Sequence, residues 1–158
     1  MALKMDRQVD AVEISYFLNA VAEKGVILSA SNGGSGVAME DTYNTAAVVA
    51  NSSGCRPLGM LLTEFVNVDL TRQSINWHKD QAQIGDKAAI MTKGWAVTDK
   101  VVGAPLAGDY AALGSSGTII PITPALFVAG WNKAANPIIG RFRTKVNEDG
   151  FARVYVDL

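Results

Sequence analysis

Ile84-Gly-Asp-Lys-Ala-Ala-Ile-Met-Thr-Lys-Gly-Trp-Ala-Val97 aligns with Ala107-Gly-Asp-Tyr-Ala-Ala-Leu-Gly-Ser-Ser-Gly-Thr-Ile-Ile120 at an offset of 23 residues. Each copy reads Gly-Asp, one variable residue, Ala-Ala, an aliphatic, three residues, Gly, then a return to an aliphatic. This is the pattern of a β-hairpin. Gly85-Asp86 and Gly108-Asp109 turn the chain into a strand, and Gly94 and Gly117 supply the positive φ of a tip, where a Cβ is disfavoured. Val97 and Ile120 then lie on returning strands. Two such hairpins at short spacing predict a mainly β domain, a small β-barrel or β-sandwich.

A looser echo extends the pattern. Pro57-Leu-Gly-Met-Leu-Leu62 followed by Val66-Asn-Val-Asp-Leu70 resembles Pro137-Ile-Ile-Gly-Arg-Phe142 followed by Val154-Tyr-Val-Asp-Leu158. Within the second copy, Asn147-Glu-Asp-Gly150 contains the Asp-Gly hairpin signal. Arg141-Phe-Arg-Thr-Lys-Val146 alternates cations with other residues, so one face is solvated, and Phe151, Val154 and Val156 are candidates for the other. Val26-Ile-Leu28 is a further short apolar run, closed by the loop composition Ser31-Asn-Gly-Gly-Ser-Gly36.

Residues before Gly25 differ. Asp10 and Glu13 have capping-box spacing. Ile14, Phe17, Leu18 and Val21 follow the i, i+3, i+4, i+7 rule, and Gly25 is a plausible stop. The spacing predicts one short helix over 11–23, preceded by an extended, polar arm over 1–9. The expected organisation is therefore arm and helix at 1–25 and a single β domain at 26–158. No secretory signal or apolar run long enough to cross a bilayer is visible, so a reducing cytoplasm is the expected site of synthesis.

Composition removes several functions. Of the 158 residues, 18% are charged and Lys+Arg nearly balance Asp+Glu, 14 against 15. Counterion release on nucleic acid needs clustered cations, so no direct nucleic-acid binding is expected. One Cys and one His exclude an internal disulfide and a zinc site built of several such residues; Cys55 reads as a free thiol. Charge is also uneven. Asp109 is the one charged residue from Val101 to Asn132, and Glu40 and Asp41 are the two from Gly25 to Cys55. Surfaces this poor in charge are expected to be covered by other subunits, because interface cores are depleted of charge.

The chemistry-bearing residue types form no recognisable set. His78, between Trp77 and Lys79, lacks a nucleophile motif such as G-x-S-x-G. The loop at 31–36 lacks the GxxxxGK[ST] of a phosphate-binding loop. The aspartates lack calcium-loop spacing. No catalytic residue, cofactor or metal is expected, and the protein is not expected to be an enzyme. Candidate contact residues are Lys4, Met5, Asp6 and Arg7 in the arm, Tyr16, Trp77 and His78, and Trp95 and Trp131, since Trp is enriched at interface hot spots.

Arm plus helix, a Gly-rich loop, Val68-Asp-Leu-Thr-Arg72, Ile75-Asn-Trp-His-Lys-Asp80, Gly-Asp hairpins and an Asp-Gly turn near a β C-terminus together resemble the small head proteins of tailed bacteriophages, the capsid decoration or stabilisation proteins. The resemblance spans nearly the whole chain in order, and Asn76-Trp-His-Lys-Asp80 is its most distinctive piece. It implies a virion protein on the capsid exterior that bridges major capsid protein subunits, with a homo-oligomer, a trimer favoured, and no membrane. The alternatives are another virion component, a head fibre or tail protein, and a carbohydrate-binding β module using Trp95 or Trp131.

Overall fold

The structure, a computed structural model, describes residues 3–4, 12–31, 45–62, 66–68, 76–78 and 81–158. In chain order the first strands are β1 (Leu3–Lys4), β2 (Val12–Leu18), β3 (Ala22–Glu23), β4 (Ile27–Ala30), β5 (Thr45–Ala47) and β6 (Pro57–Leu61). Next come β7 (Val66–Val68), β8 (Asn76–His78), β9 (Gln81–Ala82) and the long β10 (Lys87–Thr98). The chain continues with β11 (Tyr110–Leu113), β12 (Ile119–Ile122), a short helix α1 (Pro124–Val128), β13 (Ile138–Phe142) and β14 (Ala152–Asp157).

The fold is mainly β, as expected, and is organised around β10. Its first half closes a five-stranded barrel in the order β10–β2–β5–β4–β6, with β6 returning to β10 at Ile90↔Leu61 and Met91↔Met60. Its second half forms one side of an antiparallel sheet in the order β12–β11–β13–β14–β10. A register shift between Met91 and Lys93 precedes the last pair with β2, Lys93↔Val12, and pairing with β14 begins at the same residue, Lys93↔Asp157.

Period-two alternation separates two cores. Leu18, Leu28, Ala46, Leu61, Ala88 and Ile90 are buried together in one cluster with Ala22, Val26 and Ala82. Their sequence neighbours Ile27, Met60 and Met91 belong to a second cluster, against Ala111, Leu113, Phe142, Val154 and Val156 of the sheet. The middles of β4, β6 and β10 are thus buried on both faces. This is why they read as continuous apolar runs.

The Gly-Asp repeat is real at its entry. In each copy the Asp carboxylate accepts from the backbone N–H three residues earlier, Gln83 to Asp86 and Leu106 to Asp109, both at 2.8 Å. In each copy the Gly is at positive φ, 88° for Gly85 and 100° for Gly108. Each turn also closes on another strand in the same way. Gly85 N–H donates to the Leu18 carbonyl and Leu18 N–H to that of Asp86; Gly108 and Asp109 exchange the same pair with Phe142.

Beyond Ala-Ala the copies diverge, and the expected first hairpin is corrected. Gly94 is no tip; it lies buried inside β10 opposite Val156, and Val97 continues the same strand. The second copy does turn, through a 3-10 segment with Ser116 and Gly117 both at positive φ, and Ile120 returns on β12 as expected. The local sequences explain the split. Gly114-Ser-Ser-Gly117 favours a turn, whereas its equivalent Met91-Thr-Lys-Gly94 holds a β-branched residue and a long side chain. Partner strands β2 and β14 then reward straight continuation.

The expected helix over 11–23 is also corrected. Residues 12–18 form β2, antiparallel to β10 with Phe17↔Lys87 and Ile14↔Ile90. A run this short satisfies both periods, and Val12, Ile14, Tyr16 and Phe17 are β-branched or aromatic. Gly25, at φ 91°, serves a turn before β4. Among the described residues the one α-helix is α1, opened by Thr123, whose hydroxyl accepts from Leu126 N–H, and by Pro124. Thr-Pro is a legible N-terminal signal. Asp10 and the loop from residue 32 lie outside the described residues.

The β13–β14 hairpin follows expectation. Asn147 Oδ1 accepts from Asp149 and Phe151 N–H, and Gly150 N–H donates to the Asn147 carbonyl. Gly140 lets β13 pass close to β14: a Cβ there would stand 1.8 Å from the Tyr155 carbonyl oxygen. Gly59 on β6 meets the Met91 carbonyl likewise, at 2.3 Å.

Gly140→Ala is therefore expected to cost about 3 kcal/mol or more, because backbone must move. Gly54→Ala, at φ 72° with nothing within 4 Å of the added Cβ, should cost only about 1–2 kcal/mol. Urea denaturation of the two variants checks the ranking; equal midpoints would contradict the close approach.

Candidate interaction surface

The outward face of the second sheet carries a row of aromatic and cationic side chains. Directly paired residues share a face. The register runs Tyr110↔Arg141, Arg141↔Tyr155 and Tyr155↔Trp95 across β11, β13, β14 and β10. With strands about 4.8 Å apart, the row is about 15 Å long. Trp95 and Tyr155 rings are 4.8 Å apart and tilted. The Arg141 guanidinium lies 4.5 Å over the Tyr110 ring and donates to its hydroxyl at 3.2 Å. Arg143 lies 4.8 Å over Trp95 and 5.7 Å over Tyr155. On the far side of Tyr110, Phe127 of α1 stacks at 4.6 Å and Lys133 sits 5.0 Å over Phe127.

Next to this row lies a charge-free edge. Val101 bridges Ile119 and Val102 N–H donates to the Ile119 carbonyl, so the chain runs beside β12 there. The stretch 101–132 thus supplies β11, β12 and α1 at this end of the sheet. Its sole charge, Asp109, is 6% exposed and occupied in its turn. The apolar side chains are not hidden: Val102, Leu106, Leu126 and Val128 are 54%, 62%, 54% and 86% exposed, and α1 buries none of its residues. The segment after α1 is nonetheless anchored. Asn136 donates to Ser52 Oγ and the Leu113 carbonyl, and Gly54 N–H donates to the Ala134 carbonyl.

A third feature is an open groove of about 310 Å³ lined by Val21, Ala22, Glu23, Val26, Val48, Gln81, Lys100, Ser116 and Thr118. Lys100 and Glu23 form an ion pair there. Their hydrogen bond holds the Glu23 carboxyl below its usual value of 4.5, against the opposing effect of burial. The same bond raises Lys100 above 10.5. Among the described residues, no three His, Cys, Asp or Glu side chains gather as a metal site, and no helix is long and apolar enough to cross a membrane.

The residues singled out from sequence are dispersed. Trp95 lies in the aromatic row. Trp131 is half-buried and donates its indole N–H to the Asn136 carbonyl at 3.2 Å, which fastens its own loop. Tyr16 packs against the barrel cluster. Trp77 and His78 lie on β8, opposite Asn67 and Val66 in a separate two-stranded ladder. Lys4 pairs through its backbone with Val97 of β10, so that part of the arm extends the chain's own sheet. Met5, Asp6 and Arg7 lie outside the described residues. Tyr110, Phe127, Arg141, Arg143 and Tyr155 were missed, although the alternation Arg141-Phe-Arg143 and Arg153-Val-Tyr-Val-Asp157 marks a solvated sheet face.

No family model matches the chain, and no curated protein matches it. Among solved structures it is similar to the head fiber gp8.5 N base of bacteriophage phi29, with a TM-score of 0.52 and 11% identity over 93% of this chain and 94% of that one. At that identity the likeness is one of fold.

The Glu23–Lys100 pair gives a pH signature. A lowered carboxyl stabilises the fold above its unfolded pKa and loses this as pH falls through its folded value; a raised amine stabilises below its unfolded pKa and loses this as pH rises through its folded value. The contribution therefore spans about pH 4.5 to 10.5. With side chains 26% and 43% exposed, it is worth at most about 1 kcal/mol. Glu23→Gln should lower the urea midpoint slightly at neutral pH, and the difference should vanish below the carboxylate range. A deficit that persisted in acid would rule out the ion pair as its source.

Proposed function

We propose that this protein is a structural component of a tailed-bacteriophage virion, carried on the outside of the head and not an enzyme. The observation that carries the proposal is the fold likeness to a phage head fiber base along 93% of the chain. The sequence resemblance to phage head proteins points the same way. So does the charge-free apolar edge, which suits a subunit surface covered in an assembly.

Within that role, two attachments are distinguished by what they do to the shell. A decoration protein bridges major capsid protein subunits, binds the assembled lattice in preference to the open one and so stabilises it by linkage. A fibre base needs one firm attachment point and no bridging. We favour bridging by an oligomer, a trimer first, because linked copies can hold neighbouring subunits together and multiply a modest free energy per site.

Cryo-EM of particles that carry the protein should show it as a regular array on the head exterior, straddling neighbouring capsid subunits. Particles lacking it should release DNA at a lower temperature. Absence from gradient-purified virions, or density confined to the tail, would overturn the virion-head reading. Sparse head density with unchanged heat stability would favour the fibre base. Removing residues 1–9 should reduce occupancy if the arm contributes to attachment.

A further inference from the structure

The aromatic row does not present ring faces to solvent in the way a sugar-stacking platform does. Arg141 covers Tyr110 on one side and Phe127 stacks on it as well, while Arg143 lies over Trp95 and Tyr155. A guanidinium held over a ring keeps donors for a partner: Arg141 spends one of its five N–H groups on the Tyr110 hydroxyl, and the others remain for a carboxylate. It is also held in one orientation, so less side-chain entropy is lost when those donors are used. Among the described residues, Arg141, Arg143 and Lys133 have no ion-pair partner. Of the acids near them in the register, Asp157 is paired to Lys93 at 3.6 Å, and Asp109 is 6% exposed and accepts from Leu106 N–H.

We propose that this row is the docking face for an acidic protein surface, with partner carboxylates held bidentately by Arg141 and Arg143 and the partner's apolar residues seated on α1 and Leu106. Charge complementarity selects the carboxylates, since a planar guanidinium fork matches them. The neighbouring charge-free edge, with Leu126 and Val128 exposed, selects a folded protein over a nucleic acid or another hydrophilic polyanion. The overall charge of −1 also gives no long-range attraction for a polyanion. A row of this size is a hot-spot cluster in a larger interface: aromatic and Arg anchors at the centre, with surrounding contacts that exclude water. The proposal deepens the virion reading only in naming the chemistry of the partner surface; the face itself stands on the residues above.

The test uses a labelled random Glu/Ala copolymer as probe, read by fluorescence anisotropy at low and high salt, with single-stranded DNA, dextran sulfate and neutral oligosaccharides as comparison ligands. The full chain should bind the Glu/Ala copolymer in preference to the others. Arg141→Lys/Arg143→Lys keeps the charge but removes both forks and should weaken binding roughly tenfold or more. Trp95→Phe should have a smaller effect, and Arg56→Lys, at an exposed site elsewhere, none. Circular dichroism verifies that each variant is folded. Undiminished copolymer binding by the double Lys variant would overturn the proposal, as would equal or tighter binding of DNA, dextran sulfate or oligosaccharide. Occupancy of the same variants on particles separates the two readings. A chain that binds the copolymer but is absent from virions defeats the virion role alone. A double variant that decorates particles and binds copolymer like wild type defeats the docking face alone.

Discussion

Strand β10 must satisfy two sets of backbone partners, and the rest of the molecule is arranged by that requirement. Residues 87–93 pair with β2, residues 90–91 with β6, and residues 93–98 with β14. One strand thus closes a barrel with its first half and supports an open sheet with its second. The register shift between Met91 and Lys93 precedes the change of partners at Lys93, close to where side chains change surroundings. Ile90 points into the barrel cluster and Met91 into the cluster between barrel and sheet. A hairpin at Gly94 would have broken both pairings. The composition follows from the same constraint. A five-stranded barrel has a narrow lumen: Ala46 and Ala88 of the barrel strands pack beside Leu and Ile, and Ala22 and Ala82 of the β3–β9 ladder join the same cluster.

Much of this was legible in the residues, and the failures have identifiable causes. The Gly-Asp turns and the Asn147–Gly150 turn were readable because turn chemistry is local: a short carboxylate or amide accepts from nearby backbone and a glycine takes positive φ. The mainly β class followed from those turns. What sequence could not separate was period on short segments. Residues 14, 17, 18 and 21 fit a helix and also fit a strand, and only the pairing with β10 decides between them. The same holds for Gly94 against Gly117. Both copies carry a glycine in register, and the difference lies in the residues before it and in which strands stand alongside. Tertiary pairing overrode a local signal in both cases.

The site was less legible than the fold, for a related reason. Trp95 stands out by residue type, but its surroundings are set by Tyr155 and Arg143, which are distant in sequence and meet it only across strands. Trp131 bonds to the Asn136 carbonyl of its own loop, and Tyr16 packs against the barrel cluster. Charge was the better guide. The stretch from 101 to 132, with Asp109 its one charge, supplies β11, β12 and α1 at one end of the sheet, and the cations that border it come from β13 and the segments following α1 and β13. A surface property spread along the chain survived folding better than any one candidate residue.

The two copies of the Gly-Asp unit end in different roles because of how many faces each has to bury. The strand after Gly85-Asp86 runs between two cores at Ile90 and Met91, so its side chains there have no surface to offer. The strand after Gly108-Asp109 enters a sheet with one face packed on the barrel and with Tyr110 half-buried and Arg141 exposed on the other. On that outer face, Tyr110 begins the row that continues through Arg141 and Tyr155 to Trp95. Those side chains stand on paired strands, and the neighbouring loop is tied down by Ser52 and Asn136, so the row is held in place before any partner arrives. Stacked guanidiniums on a rigid sheet lose little freedom on binding. The divergence at Gly94 and Gly117 therefore does more than distinguish a strand from a hairpin. It separates a copy that passes between two cores before reaching the row at Trp95 from a copy that opens the row at Tyr110.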